Sequence, residues 1–501
     1  MHRVGFDTNK YLKEQTKKIL ERVGKFERLY LEFGGKLCYD MHAARVLPGY
    51  KLTTKIDLLK NLKDIEIIYC VSAKDIEKGR VRRDFGLTYD NQTLKDISDI
   101  SDFGLKVNCV VITRYDNEHS VKIFKKKLEN FGIRVYVHNE VEGYPNDIKK
   151  VLQGYNKQPF IKTDKKLIIV TGVGGNSGKM ATCLSQIYNE RKKGLKTGFA
   201  KFETFPIWNL ELNHPINVAY EAATADLKDV NMVDPFHKKA YGIIAINYNR
   251  DIENFNILIN LMKKITGEEN PFGYKSPTDM GVNTAAIGII DDKACREAAK
   301  QEIIRRYFRY LREKVEGIET QETLDRIEEI MKKIHVKPED RKVVKSARKS
   351  AEDAKKKGKG FDNIFCGAAI ELKNGKIITG KNSNMLHAES AAILNAVKEL
   401  SNIPDEIDLL SPNVIKTISN MKKELLGKKS CSLNVDETLI SLAMSSTTNP
   451  MAKTALKKLE DLKNCEMHLT HLPKQGDEAG LMRLNMNVTT DAKLALLPYF
   501  Q

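Results

Sequence analysis

Short apolar runs alternate with amphipathic stretches along most of the chain. Runs at 28–33, 65–72, 109–113, 134–138 and 167–170 are too short for helices and read as buried strands. Between them, apolar residues at helical spacing predict helices over 8–26, 55–62, 91–102 and 119–130, and one that ends at Leu152. Alternation of this kind predicts right-handed βαβ crossovers and a mainly parallel sheet. A helix over 180–193, strands at 197–203 and 242–248, a helix over 252–265 and a buried strand at 285–290 extend the pattern. The 285–290 strand is expected to end in Asp291-Asp292, as a site acid or as the cap of the next helix. From Ala294 to Ile334 the pattern is helical, with a break near Gly317.

One stretch organises this half of the chain. Leu167 to Val170 run into Gly172-Val173-Gly174-Gly175-Asn176-Ser177-Gly178, then Lys179, then helix formers. Strand, glycine turn, lysine and helix form the layout of a phosphate cradle. Glycines let successive backbone N–H groups face one concavity, and the helix N-terminus and the lysine add positive charge. The spacing departs from the usual phosphate loop. Gly172 and Gly178 are one residue further apart than usual, and Met180 stands where a hydroxyl normally meets magnesium. Thr182 is the nearest hydroxyl. The alternative is a tight turn whose glycines serve close packing only.

Polar groups follow other strands. Glu32, Lys36, Asp40, His42 and Arg45 come directly after the first, where α/β folds place ligands. Arg80, Arg82, Arg83 and Asp84 precede Phe85-Gly86, and arginine forks suit phosphate or carboxylate. Glu203, Asp226 and Asp279 are the acids expected to serve as metal ligand or general base.

The composition changes at Asn363. Residues 364–372 and 376–380 read as a hairpin turning at Asn374-Gly375, and His387-Ala388-Glu389 opens a helix to Leu400. Hairpin, loop, His-Ala-Glu and helix resemble the first half of the cytidine-deaminase fold. In that fold the histidine holds zinc and the glutamate moves protons. The Pro-Cys-x-x-Cys half of the signature is absent; Ser411-Pro412-Asn413 is the closest local analogue and offers no thiol. Cys465, His468 and His471 are other donors, but strand alternation would place 468 and 471 on opposite faces. No metal site is therefore expected.

The chain of 501 residues is too long for one core. The expected domains are an α/β domain over 1–310 with the glycine turn at 172–179, a helical connection and basic linker over 311–360, and a deaminase-like α/β domain over 361–501. At 41% hydrophobic and 30% charged residues, with no apolar run of membrane length, the chain reads as soluble and globular. The start, MHRVGFDTNKYLKEQ, has no apolar core of a signal peptide. Eight scattered cysteines without a Cys-x-x-Cys pair fit a reducing, cytoplasmic location. The net charge of +17 is spread along nearly every helix. Only Arg341 to Gly360 is densely basic; without interleaved aromatics it reads as an exposed helix end and linker, so nucleic acid is not expected as a partner.

The passages YLEFGGKLCYDMHAARVLPG, DFGLTYD, SGKMATCLSQIY, KFETFPIWNLELNHP, YEAATADL, YKSPTDMGVN and HAESAAILNA together resemble the bacterial uncharacterised protein family 0371. The resemblance covers essentially the whole chain. It implies a cytoplasmic bacterial protein with an N-terminal α/β part and a C-terminal deaminase-like part, and it implies no catalytic residues.

Two functions follow from the residues. The first is binding of a nucleotide or phosphorylated metabolite by Gly172, Gly174, Gly175, Ser177, Gly178, Lys179 and Thr182, with Glu203, Asp226 or Asp279 acting on it. The second is a non-catalytic, self-assembling scaffold or ligand sensor built on relic enzyme folds. A homo-oligomer is expected in either case. Residues such as Ile393, Leu394, Val397, Ile440, Leu442 and Met444 present more apolar helix positions than one mixed sheet covers.

Overall fold

The computed structural model describes residues 4–82, 86–428 and 430–495, without the side chain of Arg82. The arginine run marked in the sequence is thus described only in part, because Arg83, Asp84 and the Arg82 side chain lie outside the described residues. The chain divides into two compact units, Arg3–Ala299 and the segment from Lys300 onward.

In the first unit seven strands form one sheet with parallel pairing throughout. They are β1 (Arg28–Phe33), β2 (Ile65–Ser72), β3 (Val107–Tyr115), β4 (Val135–Asn139), β5 (Leu167–Gly172), β6 (Thr197–Phe202) and β7 (Gly281–Val282). Their order is β7-β6-β1-β5-β2-β3-β4. Helices Thr54–Leu62, Tyr89–Asp102, His119–Asn130, Ile148–Lys157 and Lys179–Lys192 lie in the crossovers. The central strands are buried on both faces, so their apolar residues run consecutively. Leu167 to Thr171 and Glu66 to Ser72 are all buried. Each buried Leu, Ile or Val adds about 1.5–3 kcal/mol.

The order of strands locates a crevice. The chain leaves β1 toward β2 on one side, and leaves β5 toward β6 on the other. The crossovers part at the β1/β5 boundary, and open α/β sheets bind ligands beyond the strand ends at such a point. The glycine turn follows β5.

Two expected strands are absent from this sheet. Ala285–Gly288 is a short helix, started by Asn283 Oδ1, which accepts the Ala285 N–H at 2.9 Å. Within 285–290 only Ile289 makes a bridge, to Phe6. Asp291 behaves as a cap, accepting the Ala294 N–H at 3.1 Å. The 242–248 run is a strand only at Ile246–Tyr248, paired antiparallel with Asn231–Val233 in a separate ribbon. Gly242, at φ 69°, instead ends the helix Pro235–Tyr241.

In the second unit β8 (Gly367–Glu371) and β9 (Ile377–Lys381) form the expected hairpin. β8 also pairs antiparallel with β10 (Glu466–Leu469), which pairs parallel with β11 (Asn487–Thr490), giving the order β9-β8-β10-β11. Helix Lys342–Lys356 packs Val343 and Ala347 on Ala369, while helix Ala388–Leu400 packs with Ala368 and Ile370. Alternation along β8 puts the two helices on opposite faces. Gly380 permits the close approach of the second, since a Cβ there would lie 2.2 Å from the Ala392 nitrogen.

The densely basic run is therefore for the most part a helix packed in this unit, and only its end, Lys355 to Lys359, is exposed. Arg341, 1% exposed, is wholly inside. It pairs with Glu466, and donates to the Asn487 carbonyl at 2.9 Å and Thr489 Oγ1 at 3.0 Å. Arg348 pairs with Asp491 at 2.7 Å and Lys342 with Glu371 at 2.9 Å. Of the apolar helix positions noted in the sequence, Ile393, Leu394, Val397 and Leu442 are core, while Ile440 and Met444 are exposed, as are Leu425 and Leu426.

Candidate functional site

The glycine turn is folded tightly onto the end of β5. A Cβ on Gly172 would lie 2.4 Å from the Cys70 carbonyl oxygen and 2.5 Å from Ser177 Oγ. Gly178, at φ 80°, precedes helix Lys179–Lys192. Thr113 at the end of β3 ties the turn down, its Oγ1 donating to the Ser177 carbonyl at 2.9 Å. The outer turn is open: Gly175 and Asn176 are exposed. Among the described residues, the N–H groups of Gly174, Gly175 and Asn176 meet no hydrogen-bond acceptor. Lys179 curls over them, its Nζ 3.1 Å from the Gly174 carbonyl oxygen and 3.4 Å from Ser177 Oγ. Thr182 is buried, and its hydroxyl donates to the Gly178 carbonyl at 3.0 Å.

Side chains from other elements wall the turn. The Tyr89 hydroxyl would stand 2.9 Å from a Cβ on Gly174, and Arg80 lies over the Tyr89 ring at 5.4 Å. Leu227 would stand 3.5 Å from a Cβ on Gly175, so the short turn Ala225–Leu227 borders the glycines. That turn carries Asp226, exposed and within electrostatic reach of Arg80.

A second group of charges lies along the same strand ends. Glu32 on β1 stands opposite Val170 of β5 and opposite Lys201 of β6. Lys201 Nζ is 2.7 Å from Asp251 and 3.2 Å from Glu203, all three largely buried. Burial opposes the Lys201 charge, but Asp251, Glu203 and Glu32 outweigh it and hold the ammonium above its ordinary value. Burial pushes the Glu203 carboxyl up to about 7; Lys201 opposes that shift, while Asp251 and Glu32 reinforce it. Glu32 Oε2 is buried without a hydrogen bond. Cys70 and Cys183 feel both Glu32 and Lys179, which links the two groups; burial pushes the Cys70 thiol up to about 12, so it is no thiolate.

Asp279 stands apart from the turn. It lines a cleft of about 560 Å³ with Arg22, Trp208, His237 and Tyr274. Its carboxylate accepts the Tyr241 hydroxyl and the Lys275 N–H, each at 2.9 Å. Asp40, from the first polar cluster, pairs with buried Lys55 at 2.8 Å, and His42 packs on the Phe205 and Tyr220 rings.

The second unit holds a separate cluster. His387 Nδ1 is 2.8 Å from Asp477 and 4.0 Å from Glu389, and His471 Nε2 is 3.5 Å from the other Glu389 oxygen. Glu389 is fully buried. Burial works against its charge, but His471 and His387 outweigh it and leave the carboxyl below its ordinary value. His468 turns elsewhere, to Thr489 at 2.9 Å, so it does not meet His471.

Comparisons with known proteins place the chain. The model described as "Domain of unknown function DUF1846, N-terminal" matches residues 4–335, and its C-terminal counterpart matches 339–497. A UPF0371 protein of Clostridium tetani is 50% identical over 492 residues, 98% of this chain and 97% of its own length. UPF0371 proteins of Clostridium botulinum strains are 49% identical over the same span. The chain belongs to the uncharacterised protein family 0371. Among the described residues of this family member, no helix is long and apolar enough to cross a membrane.

In this member of the family, Gly172, Gly174, Gly175, Ser177, Gly178 and Lys179 share one turn, Thr182 hydrogen-bonds its last carbonyl from the following helix, and Asp226 lies on the segment Ala225–Leu227 that borders it. It sets Glu203 in the neighbouring acid–lysine group and leaves Asp279 in the other cleft. Sequence reasoning missed Lys201, Asp251 and Asp477. Lys201 was within reach, since it precedes Glu203 by two residues and so shares its face of the strand. No local signal announces Asp251 or Asp477.

Proposed function

We propose that the first unit binds a small phosphorylated ligand, a nucleotide or phosphometabolite, at the glycine turn and acts on it through Glu203. The observation that carries this reading is the turn's place at the β1/β5 crevice, with open N–H groups under the Lys179 ammonium. In the proposal, the N–H groups of 174–178 and Lys179 hold the phosphates, Lys179 exchanging the Gly174 carbonyl for a phosphate oxygen. Thr182, occupied by the Gly178 carbonyl, supports the turn. Glu203 is the general base, since a carboxyl near 7 divides between its two forms at neutral pH. Lys201 and Asp251 position it. Asp226, on the segment that borders the glycines, is assigned to a cation carried by the phosphates, and Asp279 to the separate cleft.

Calorimetric titration with nucleotides and sugar phosphates tests this. The wild type is expected to bind at least one of them below millimolar concentration. Lys179→Ala should weaken that binding by about 1.5–3 kcal/mol, the worth of a hydrogen bond to a charged group. No binding by the wild type at millimolar ligand would overturn the proposal.

The scaffold reading keeps one support, the apolar side chains that remain outside. Leu425 is 80% exposed and Ile440 60%. Assembly through them predicts a homo-oligomer in light scattering, reduced in size by Leu425→Glu with Ile440→Glu; a monomeric wild type would contradict it. For the second unit, the hairpin with helix Ala388–Leu400 lying on it from His387 onward supports the deaminase-like resemblance. All eight cysteines are free, which supports a cytoplasmic setting.

A further inference from the structure

The missing thiol pair argues in the sequence against a metal in the second unit. The folded chain supplies other donors. We infer that this unit binds one divalent transition-metal ion of the zinc class through His387 Nδ1, one oxygen of Glu389 and one oxygen of Asp477. The inference concerns different residues from the phosphate site and stands independently of it.

Three observations carry it. The first is geometric. One donor atom from each residue lies within 4.8 Å of the other two. Zinc holds nitrogen and oxygen donors at about 2.0–2.2 Å, which puts tetrahedral donors roughly 3.3 Å from one another. The His387 separations of 2.8 Å to Asp477 and 4.0 Å to Glu389 bracket that value, so small side-chain rotations suffice.

The second is an unmet need. Glu389 is 0% exposed, and neither carboxylate oxygen has a hydrogen-bond donor. The nearest histidine nitrogen, His471 Nε2, is 3.5 Å away, beyond a well-formed hydrogen bond. A buried carboxylate without donors is costly, and buried polar groups of folded proteins are almost always satisfied. A cation at the centre of the cluster satisfies it.

The third is where the acids stand. Glu389 stands in the first turn of helix Ala388–Leu400, and Asp477 in the first turn of helix Gln475–Arg483. Asp477 Oδ1 also accepts the Val435 N–H at 2.9 Å, at the start of a third helix, Val435–Ser445. Three helix starts thus meet at the cluster and hold its donors in place. One imidazole with two carboxylates suits zinc and its first-row neighbours. Three protein donors leave a further position for water or substrate, and His471, its Nδ1 buried without a partner, lies beside it.

The test uses the full-length chain, stripped with a chelator and titrated with Zn²⁺ and, separately, Co²⁺. The expected result is one tightly bound equivalent, with the intense visible absorption of low-coordinate Co²⁺. Glu389→Gln keeps the shape of the side chain and is expected to weaken binding at least tenfold; His387→Ala with Asp477→Ala should abolish it. Circular dichroism reports whether the variants fold. If they do not, the wild-type result decides alone. No saturable binding by the folded wild type, a weak six-coordinate Co²⁺ spectrum, or stoichiometric binding that survives in the folded double variant would overturn the inference.

Discussion

Lys201→Met is expected to destabilise the first unit by about 3–5 kcal/mol, the cost of removing one partner of a buried ion pair. The lysine sits 2.7 Å from Asp251 and 3.2 Å from Glu203, with Glu32 opposite it on the next strand. Methionine fills the space but leaves three carboxylates facing one another in a poorly solvated pocket. Their repulsion is relieved by protonation or by opening of the β1/β6 strand ends, and either lowers stability. The single tryptophan, Trp208, lies in this unit, so its fluorescence during denaturant unfolding reports the unit directly. Lys201→Met combined with Asp251→Asn should lose less than the sum of the separate losses, because the two side chains interact. A loss below about 1 kcal/mol for Lys201→Met would show that the cluster is solvated and the network unimportant.

Glu203→Gln is expected to change how stability depends on pH. In the folded chain burial keeps the Glu203 carboxyl at about 7, against 4.5 when unconstrained. Between those values the folded state holds a proton that the unfolded state has released. The stabilisation from Glu203 is therefore complete below about pH 4.5 and is lost as pH rises through about 7. At 1.36 kcal/mol per unit of pKa the whole effect is roughly 3 kcal/mol, of which about 2–3 kcal/mol falls between pH 5 and pH 8. The wild type should lose that much more stability than Glu203→Gln between pH 5 and pH 8, followed at Trp208. Equal slopes for the two proteins would place Glu203 in water and remove it as general base.

How much of this was legible depends on how far apart the interacting residues lie. The sheet was readable because strands buried on both faces are consecutive apolar runs, as in Leu167–Val170 and Ile65–Ser72, and the glycine turn because its residues are contiguous. The run at 285–290 misled because a short apolar stretch has no period of its own; Asn283, two residues ahead of Ala285, starts a helix there. The basic run misled because charge was read without its face: Val343, Val344 and Ala347 recur at helical spacing inside it and are buried. Charge totals also hid Arg341, whose partners come from β10 and β11 far along the chain. The His387 cluster was half visible. His387 and Glu389 are neighbours, but Asp477 meets them from 90 residues away, and only the folded chain brings it there.

The central claim is that the glycine turn holds phosphate, and a crystal grown with a nucleoside diphosphate or inorganic pyrophosphate tests it most directly. The expected result is phosphate density within hydrogen-bond distance of the N–H groups of residues 174–178, with Lys179 Nζ moved from the Gly174 carbonyl onto a phosphate oxygen. A turn that stays empty at saturating ligand, with Lys179 still on the Gly174 carbonyl, or ligand bound only in the cleft beside Trp208 and Asp279, would contradict the account.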